Sequence, residues 1–112
     1  MKKIICFDID GVICKTEGNN YKKSKPIKSS IKVINSLKKK FYIILFTARF
    51  MGRSNQNIGK AKKLAEDLTI KQLKKWGVNY DKIFFGKPSY DYIVDDKAYN
   101  FKKNWHKKFN PK

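Results

Sequence analysis

The sequence is short of acids, arginine, cysteine, proline and long apolar runs, and each shortage narrows what the chain can be. No apolar stretch approaches the ~18–20 residues of a membrane-spanning helix, so no membrane role is expected. The opening Met1-Lys2-Lys3-Ile4-Ile5-Cys6-Phe7 has a basic start followed by apolar residues, but the run stops at Asp8, too soon for an export signal. Two cysteines, Cys6 and Cys14, read as reduced thiols of a cytoplasmic protein. The single histidine, His106, has no cysteine or histidine close by in sequence, which argues against a zinc site. Three prolines and six glycines in 112 residues, with 41% hydrophobic content, exclude a low-complexity or disordered chain.

The acids number 9 against 27 basic residues, a formal net charge of +18. Such a charge attracts polyanions, and a nucleic-acid partner is one reading of it. Arg49 and Arg53 are the only arginines, however, so 25 of the 27 cations are lysine. Asn, Ile, Phe and Tyr are abundant as well, and all share A/T-rich codons with Lys. Coding bias, which would produce this composition without a selected partner, is the favoured of the two readings, because a dedicated nucleic-acid surface would use more Arg for bidentate contacts.

At this length the chain makes one domain, residues 1–112, with a core and without disulfides. Apolar periodicity alternates between strand and helix. Ile4–Phe7 reads as a strand ending at Asp8-Ile9-Asp10-Gly11. Residues 15–26 read as a loop or small flap. Ser29 or Ser30 is placed to cap a helix carrying Ile31, Ile34 and Leu37. Phe41–Phe46 is the strongest strand, apolar on both faces like a central parallel strand, and ends at Thr47. A polar loop over 48–57 precedes a helical region with Ile58, Ala61, Leu64, Ala65 and Leu68 on one face. This region continues through Leu73 and Trp76, with a break expected near Thr69 and a stop at Gly77. Ile83–Phe85 is a third strand before Gly86-Lys87-Pro88, and Tyr92–Val94 a fourth before Asp95-Asp96. A last helix is expected from Ala98 to about Trp105, and residues 106–112 as a frayed tail. Trp76 and Trp105 read as core residues.

The order β-α-β-α-β-β-α predicts a three-layer α/β fold with a mainly parallel sheet. Ligands of such sheets bind beyond the carboxyl ends of the strands. Here those ends carry Asp8/Asp10, Thr47, Lys87 and Asp95/Asp96, so four distant segments are expected to converge.

Each element has chemistry and a plainer alternative. Asp8 and Asp10, two apart in extended chain, point to one side. Carboxylates so close need a cation or a shared proton, and their environments can separate a nucleophile from a general acid. Calcium loops also contain Asp-x-Asp-Gly, but an apolar strand precedes this one and its twelfth position, Asn19, is no bidentate Glu. Asp95-Asp96 suits Mg²⁺, which takes one or two carboxylates plus phosphate; the plainer alternative is an exposed turn or a helix N-cap at Asp96, which is compatible with metal binding by Asp95. Thr47 offers a hydroxyl and an amide to a phosphoryl oxygen, or is an ordinary β-branched strand residue. Lys87 can neutralise a nucleophile and a phosphoryl oxygen together, and only its placement separates it from the other lysines.

This ordered set resembles the haloacid dehalogenase (HAD) superfamily over residues 4–96. The resemblance implies a Rossmann-like fold and an aspartyl-phosphate mechanism. It makes Asp8 the nucleophile and a Mg²⁺ ligand, and Asp10 the general acid/base with its backbone carbonyl toward the metal. Thr47 and Lys87 would bind the phosphoryl group, Asp95 would ligate Mg²⁺, and Asp96 would ligate through water or orient Lys87. Ala48 and Arg49, following Thr47, are assigned to substrate. Asp at the second motif position resembles phosphatases and phosphomutases, and the short gaps between motifs imply no cap domain. Capless members act on large substrates or complete the site with a neighbouring subunit. The segments Phe46-Thr47-Ala48-Arg49, Phe85-Gly86-Lys87-Pro88 and Ile93-Val94-Asp95-Asp96-Lys97 are similar to small bacterial phosphatases of capsule and surface-polysaccharide biosynthesis. The expected function is hydrolysis of a small sugar phosphate. A nucleic-acid end phosphatase and a non-catalytic HAD-fold binding module are the alternatives.

Overall fold

The computed structural model describes residues 1–112. Its strands are β1 (Ile4–Asp8), β2 (Cys14–Lys15), β3 (Lys25–Pro26), β4 (Tyr42–Thr47) and β5 (Lys82–Phe85). The helices are α1 (Lys28–Leu37), α2 (Ile58–Trp76) and α3 (Trp105–Lys108), with a 3₁₀ turn at Tyr21–Lys23. The main sheet has the order β1-β4-β5, and both pairings are parallel. β4 is central, as its apolar run predicts. This is the α/β, Rossmann-like arrangement expected of the order of elements.

Side chains alternate across the sheet. Phe7 of β1 and Ile43 and Leu45 of β4 turn to one face and are buried with Ile31 and Ile34 of α1, Leu73 of α2, Val78 and Trp105. The other face carries Ile4, Cys6, Ile44, Phe46 and Phe84, which are half-buried or exposed. β2 and β3 pair antiparallel, Cys14 with Pro26, and turn residues 14–26 into a compact flap beside the end of β1.

The entry to α1 differs from expectation. The helix starts at Lys28, its N-cap is Ile27, and no side chain caps it. Ser30 is buried and Ser29 is already helical. The Ile27 N–H donates instead to the Ile13 carbonyl at 2.8 Å, so the flap ladder fixes the helix entry without a hydroxyl cap. The long helix α2 is unbroken over 19 residues. Thr69 does not interrupt it, because its hydroxyl has a buried partner, described below. Asn57 caps the start by accepting from Lys60 N–H, and Gly77 ends the helix at φ +71°, as expected of a C′ glycine.

The C-terminal quarter departs most from the sequence reading. Tyr92–Val94 is not a strand: residues 86–104 form no helix or strand, and Tyr92 and Val94 are 92% and 101% exposed. β1 is therefore an edge strand with no partner on its free side. Three apolar residues offer few ladder bonds to offset the entropy of ordering them. The last helix begins where it was expected to end, at Trp105. Past it the chain is packed: Trp105 and Phe109 lie 5.5 and 6.2 Å from Phe7, ring to ring, and Lys3 Nζ donates to the Lys112 carbonyl at 2.8 Å. The expectation of a frayed 106–112 tail is corrected by this aromatic clamp. No helix is long and apolar enough to cross a membrane.

Candidate active site

Asp8 ends β1 at the carboxyl edge of the sheet. Its Oδ1 accepts from the Ile9 N–H at 2.8 Å, and its Oδ2 lies 3.4 Å from Lys87 Nζ. Lys87 is delivered by Gly86, which has φ +93° and sits so close to Ile58 that an added Cβ would meet Cγ2 at 2.7 Å. The Lys87 N–H then donates to the Thr47 carbonyl at 3.0 Å, tying the residue to the end of β4. Burial pushes the Asp8 carboxyl above its ordinary range, and the Lys87 charge and the Ile9 N–H only partly oppose it. Burial is the largest influence on Lys87 and works against its charge, but Asp8 and Tyr90 together outweigh it and raise the ammonium.

Asp10 sits in the turn that follows, where Ile13 and Cys14 N–H both return to the Ile9 carbonyl and Gly11 takes φ +89°. Arg49 grips its carboxylate: Nε is 3.0 Å from Oδ2 and Nη2 is 3.0 Å from Oδ1. Arg49 is 1% exposed and its Nη1 donates to Thr69 Oγ1 and Gln72 Oε1 on α2. Arg49, expected at the substrate, lies beneath Asp10 instead. Its guanidinium is committed to protein acceptors, as a buried cation must be.

Thr47 is also fully buried, and its hydroxyl accepts from the Arg49 N–H at 3.1 Å. The hydroxyl that was read as a phosphate ligand thus faces inward. The half-buried Ala48 next to it has an N–H with no acceptor in the chain, at the same sheet edge. Asp95 and Asp96 are exposed and stand apart from this cluster. Asp95 closes its own turn, accepting from the Lys97 N–H at 2.9 Å. Without a fourth strand on β1, nothing brings them to Asp8.

No three Asp, Glu, His or Cys side chains gather to hold a metal ion. Asp8 faces an ammonium and Asp10 a guanidinium. The residues as placed do not form a Mg²⁺ site. The structure does bring together Asp8, Asp10, Thr47, Ala48, Arg49 and Lys87, and it leaves out Asp95 and Asp96.

Several participants escaped sequence reading. Thr16 Oγ1 donates to Asp10 Oδ1 at 2.6 Å and lies 2.6 Å from Ser24 Oγ. Cys14 Sγ is 3.5 Å from Asp10 Oδ1. Burial, followed by the charge of Asp10, pushes the Cys14 thiol up to about 11. Thr69 and Gln72 carried a signal: two polar residues one helical turn apart on the apolar face of α2 need a buried polar partner.

No protein-family profile matches the sequence, and no curated protein matches it. Solved structures do. The crystal structure of a target protein from Vibrio cholerae aligns with a TM-score of 0.85 at 26% identity, covering 96% of this chain and 89% of that one. The D,D-heptose 1,7-bisphosphate phosphatase from B. bronchiseptica, complexed with magnesium and phosphate, aligns with a TM-score of 0.50 at 19% identity, covering 86% of this chain and 54% of that one. A chain of the Pnkp1/Rnl/Hen1 RNA repair complex aligns with a TM-score of 0.55 at 18% identity, covering 96% of this chain and 30% of that one. The fold is accordingly the Rossmann-like α/β core that these chains share.

Proposed function

We propose that this chain hydrolyses phosphate monoesters through a phospho-aspartate on Asp8. The observation that carries the proposal is the pairing of Asp8 with Lys87 at the carboxyl edge of a parallel sheet, beside a second carboxylate. In the first step Asp8 Oδ attacks phosphorus in line, the P–O ester bond breaks, and the leaving oxygen takes a proton by way of Asp10. In the second, Asp10 takes a proton from water, and the hydroxide displaces the Asp8 carboxylate from phosphorus. Alcohol and inorganic phosphate are the products. Lys87, released from Asp8 as the carboxylate becomes an acyl phosphate, supplies positive charge to the phosphoryl oxygens. The Ala48 N–H, free of any acceptor, is a second donor to them.

Mg²⁺ dependence belongs to the same proposal. It needs Asp95 or Asp96 to come against Asp8, for which the free edge of β1 leaves room. A sugar phosphate of surface-polysaccharide biosynthesis is the substrate class we favour, supported by the structural likeness to a heptose bisphosphate phosphatase. A second copy of the chain is the partner we propose to complete so open a site. The charge of +18 and the likeness to an RNA repair complex favour one second reading, a phosphatase of nucleic-acid ends.

The test is phosphate release from sugar phosphates, nucleotides and a 3′-phosphorylated oligonucleotide, each with Mg²⁺ and with chelator. Mg²⁺-dependent release from the sugar phosphates supports the first reading. Release from the oligonucleotide that weakens steeply with salt supports the second. No release from any of them by folded protein rejects both, in favour of a binding module.

A further inference from the structure

Asp10 is the residue on which Cys14, Thr16 and, through Thr16, Ser24 of the flap converge. Thr16 reaches it directly, Ser24 reaches Thr16, and Arg49 Nη2 lies 3.4 Å from Ser24 Oγ. Gln72 links the remaining side: its Oε1 accepts from Arg49, which turns its Nε2 toward the flap, where it donates to the Tyr21 carbonyl at 2.6 Å. The Tyr21 ring covers the guanidinium at 5.0 Å and packs on Phe50 at 4.8 Å. The Asp10 side chain is 26% exposed at the mouth of the cluster, and the Arg49 side chain beneath it is wholly buried.

From this network we infer that Arg49 is a positioning residue: it locks the Asp10 carboxylate in one orientation and makes that orientation depend on closure of the flap over residues 14–26. The inference rests on the reading of Asp10 as the acid/base group. The chemistry requires arginine. A guanidinium presents five N–H donors in a rigid plane, enough for both Asp10 oxygens, Thr69 and Gln72 at once. A lysine carries the charge but has neither the fork nor the reach. Opening the flap would remove Thr16 and Ser24 from Asp10 and uncover the guanidinium by lifting Tyr21. A displacement of about 1 Å in a catalytic group costs on the order of a hundredfold in rate.

The experiment compares wild type with Arg49→Lys and Thr16→Val, using the full chain and two readouts. The first is steady-state hydrolysis of the best substrate from the phosphate-release panel. Arg49→Lys is expected to lose about a hundredfold in kcat, with KM changed less than about threefold. Thr16→Val, which removes one donor to Asp10 and keeps the shape, should show the same kind of loss on a smaller scale. The second readout is backbone amide exchange. The Ser24 and Ile27 amides should exchange faster in Arg49→Lys, while the β4 amides stay protected. A raised KM with unchanged kcat would overturn the inference and make Arg49 a substrate contact. Unaltered flap exchange would overturn the coupling, as would a kcat loss that merely follows the unfolded fraction. If Arg49→Lys does not fold, Thr16→Val and Ser24→Ala decide by the same criteria. Absence of turnover in wild type defeats the acid/base reading instead, and flap exchange still decides whether Arg49 holds the flap.

Discussion

Lys87 Nζ and Asp8 Oδ2 meet at 3.4 Å although β4 lies between the strands that carry them. The register explains the meeting. Asp8 lies beside Phe46, and Thr47 beside Phe85, so both strands end within a residue of the end of β4. Gly86 then turns the chain, and the Lys87 side chain crosses the end of β4 to the carboxylate. The pair is thus a product of three strand ends held level, which ties the chemistry of Asp8 to the folding of the whole sheet.

Replacing Asp8 tests chemistry and stability together. Asp8→Asn is expected to abolish phosphate release, since an amide cannot form the phospho-aspartate. It should also raise the melting temperature at pH 7. The folded carboxyl titrates above its ordinary value of ~3.9, chiefly through burial. Its favourable contribution is therefore complete below that value and is lost as pH rises through the folded value. Asparagine stays neutral and keeps the contribution at pH 7. Thermal melts should show the variant ahead at pH 7 and level with wild type near pH 3. A lower melting temperature at pH 7 would mean that the ion pair with Lys87 outweighs the burial.

Gly86 is the most demanding backbone position of the site. Gly86→Ala must place a Cβ 2.7 Å from Ile58 Cγ2 and hold φ +93° against a side chain. The conformation alone costs about 1–2 kcal/mol. We expect a lower melting temperature and a loss of activity that approaches that of Lys87→Met, because Lys87 leaves from this turn. Adding Ile58→Ala should restore part of the stability, through the contact, and leave the part due to φ. Full recovery in the double variant would show that the backbone conformation is not strained.

The sheet was legible in the sequence because its strands are apolar runs ending on polar groups. β1, β4 and β5 all lie within a residue or so of where Ile4–Phe7, Phe41–Phe46 and Ile83–Phe85 put them. Gly77 was legible because αL geometry favours glycine. The placement of Arg49 is not legible in the sequence, because proximity to Thr47 suggests a shared ligand, whereas the chain turns Arg49 beneath Asp10 and toward α2. Tyr92–Val94 has the composition of a strand, but composition does not supply a partner. Trp105 and Phe109 escaped because their spacing makes sense only against Phe7, at the other end of the sequence.

The two thiols should separate cleanly by reactivity. Cys6 is exposed on the open face of the sheet, with partial burial raising its thiol, and Cys14 is buried with its thiol pushed up to about 11. Thiolate is the reactive form, so Cys14 is protected both by access and by ionisation. A thiol reagent at pH 8 is expected to label one cysteine rapidly in the native chain and the second only in denaturant. Peptide mapping should assign the rapid site to Cys6. Rapid native labelling of Cys14 would mean that the flap opens often, because Cys14 lies at its base in β2.

Trp105 should be the most stabilising residue outside the sheet. It is buried against Phe7 and Phe109, the latter at 5.7 Å, and Tyr99 packs on Phe109 at 4.9 Å. α3 has four residues and cannot persist by its own hydrogen bonds. Its position is therefore held by the aromatic contacts, and the core over Phe7 is closed by the same contacts. Removing a buried Trp to Ala costs about 3–5 kcal/mol. A domain of this kind has roughly 5–15 kcal/mol to lose. Trp105→Ala should thus lower the denaturant midpoint sharply and free the last residues to exchange, whereas Trp105→Phe, which keeps a ring on Phe7, should lose much less. Chemical denaturation followed by the remaining Trp76 measures both variants. Equal midpoints for wild type and Trp105→Ala would show that the C-terminal segment lies on the core without stabilising it.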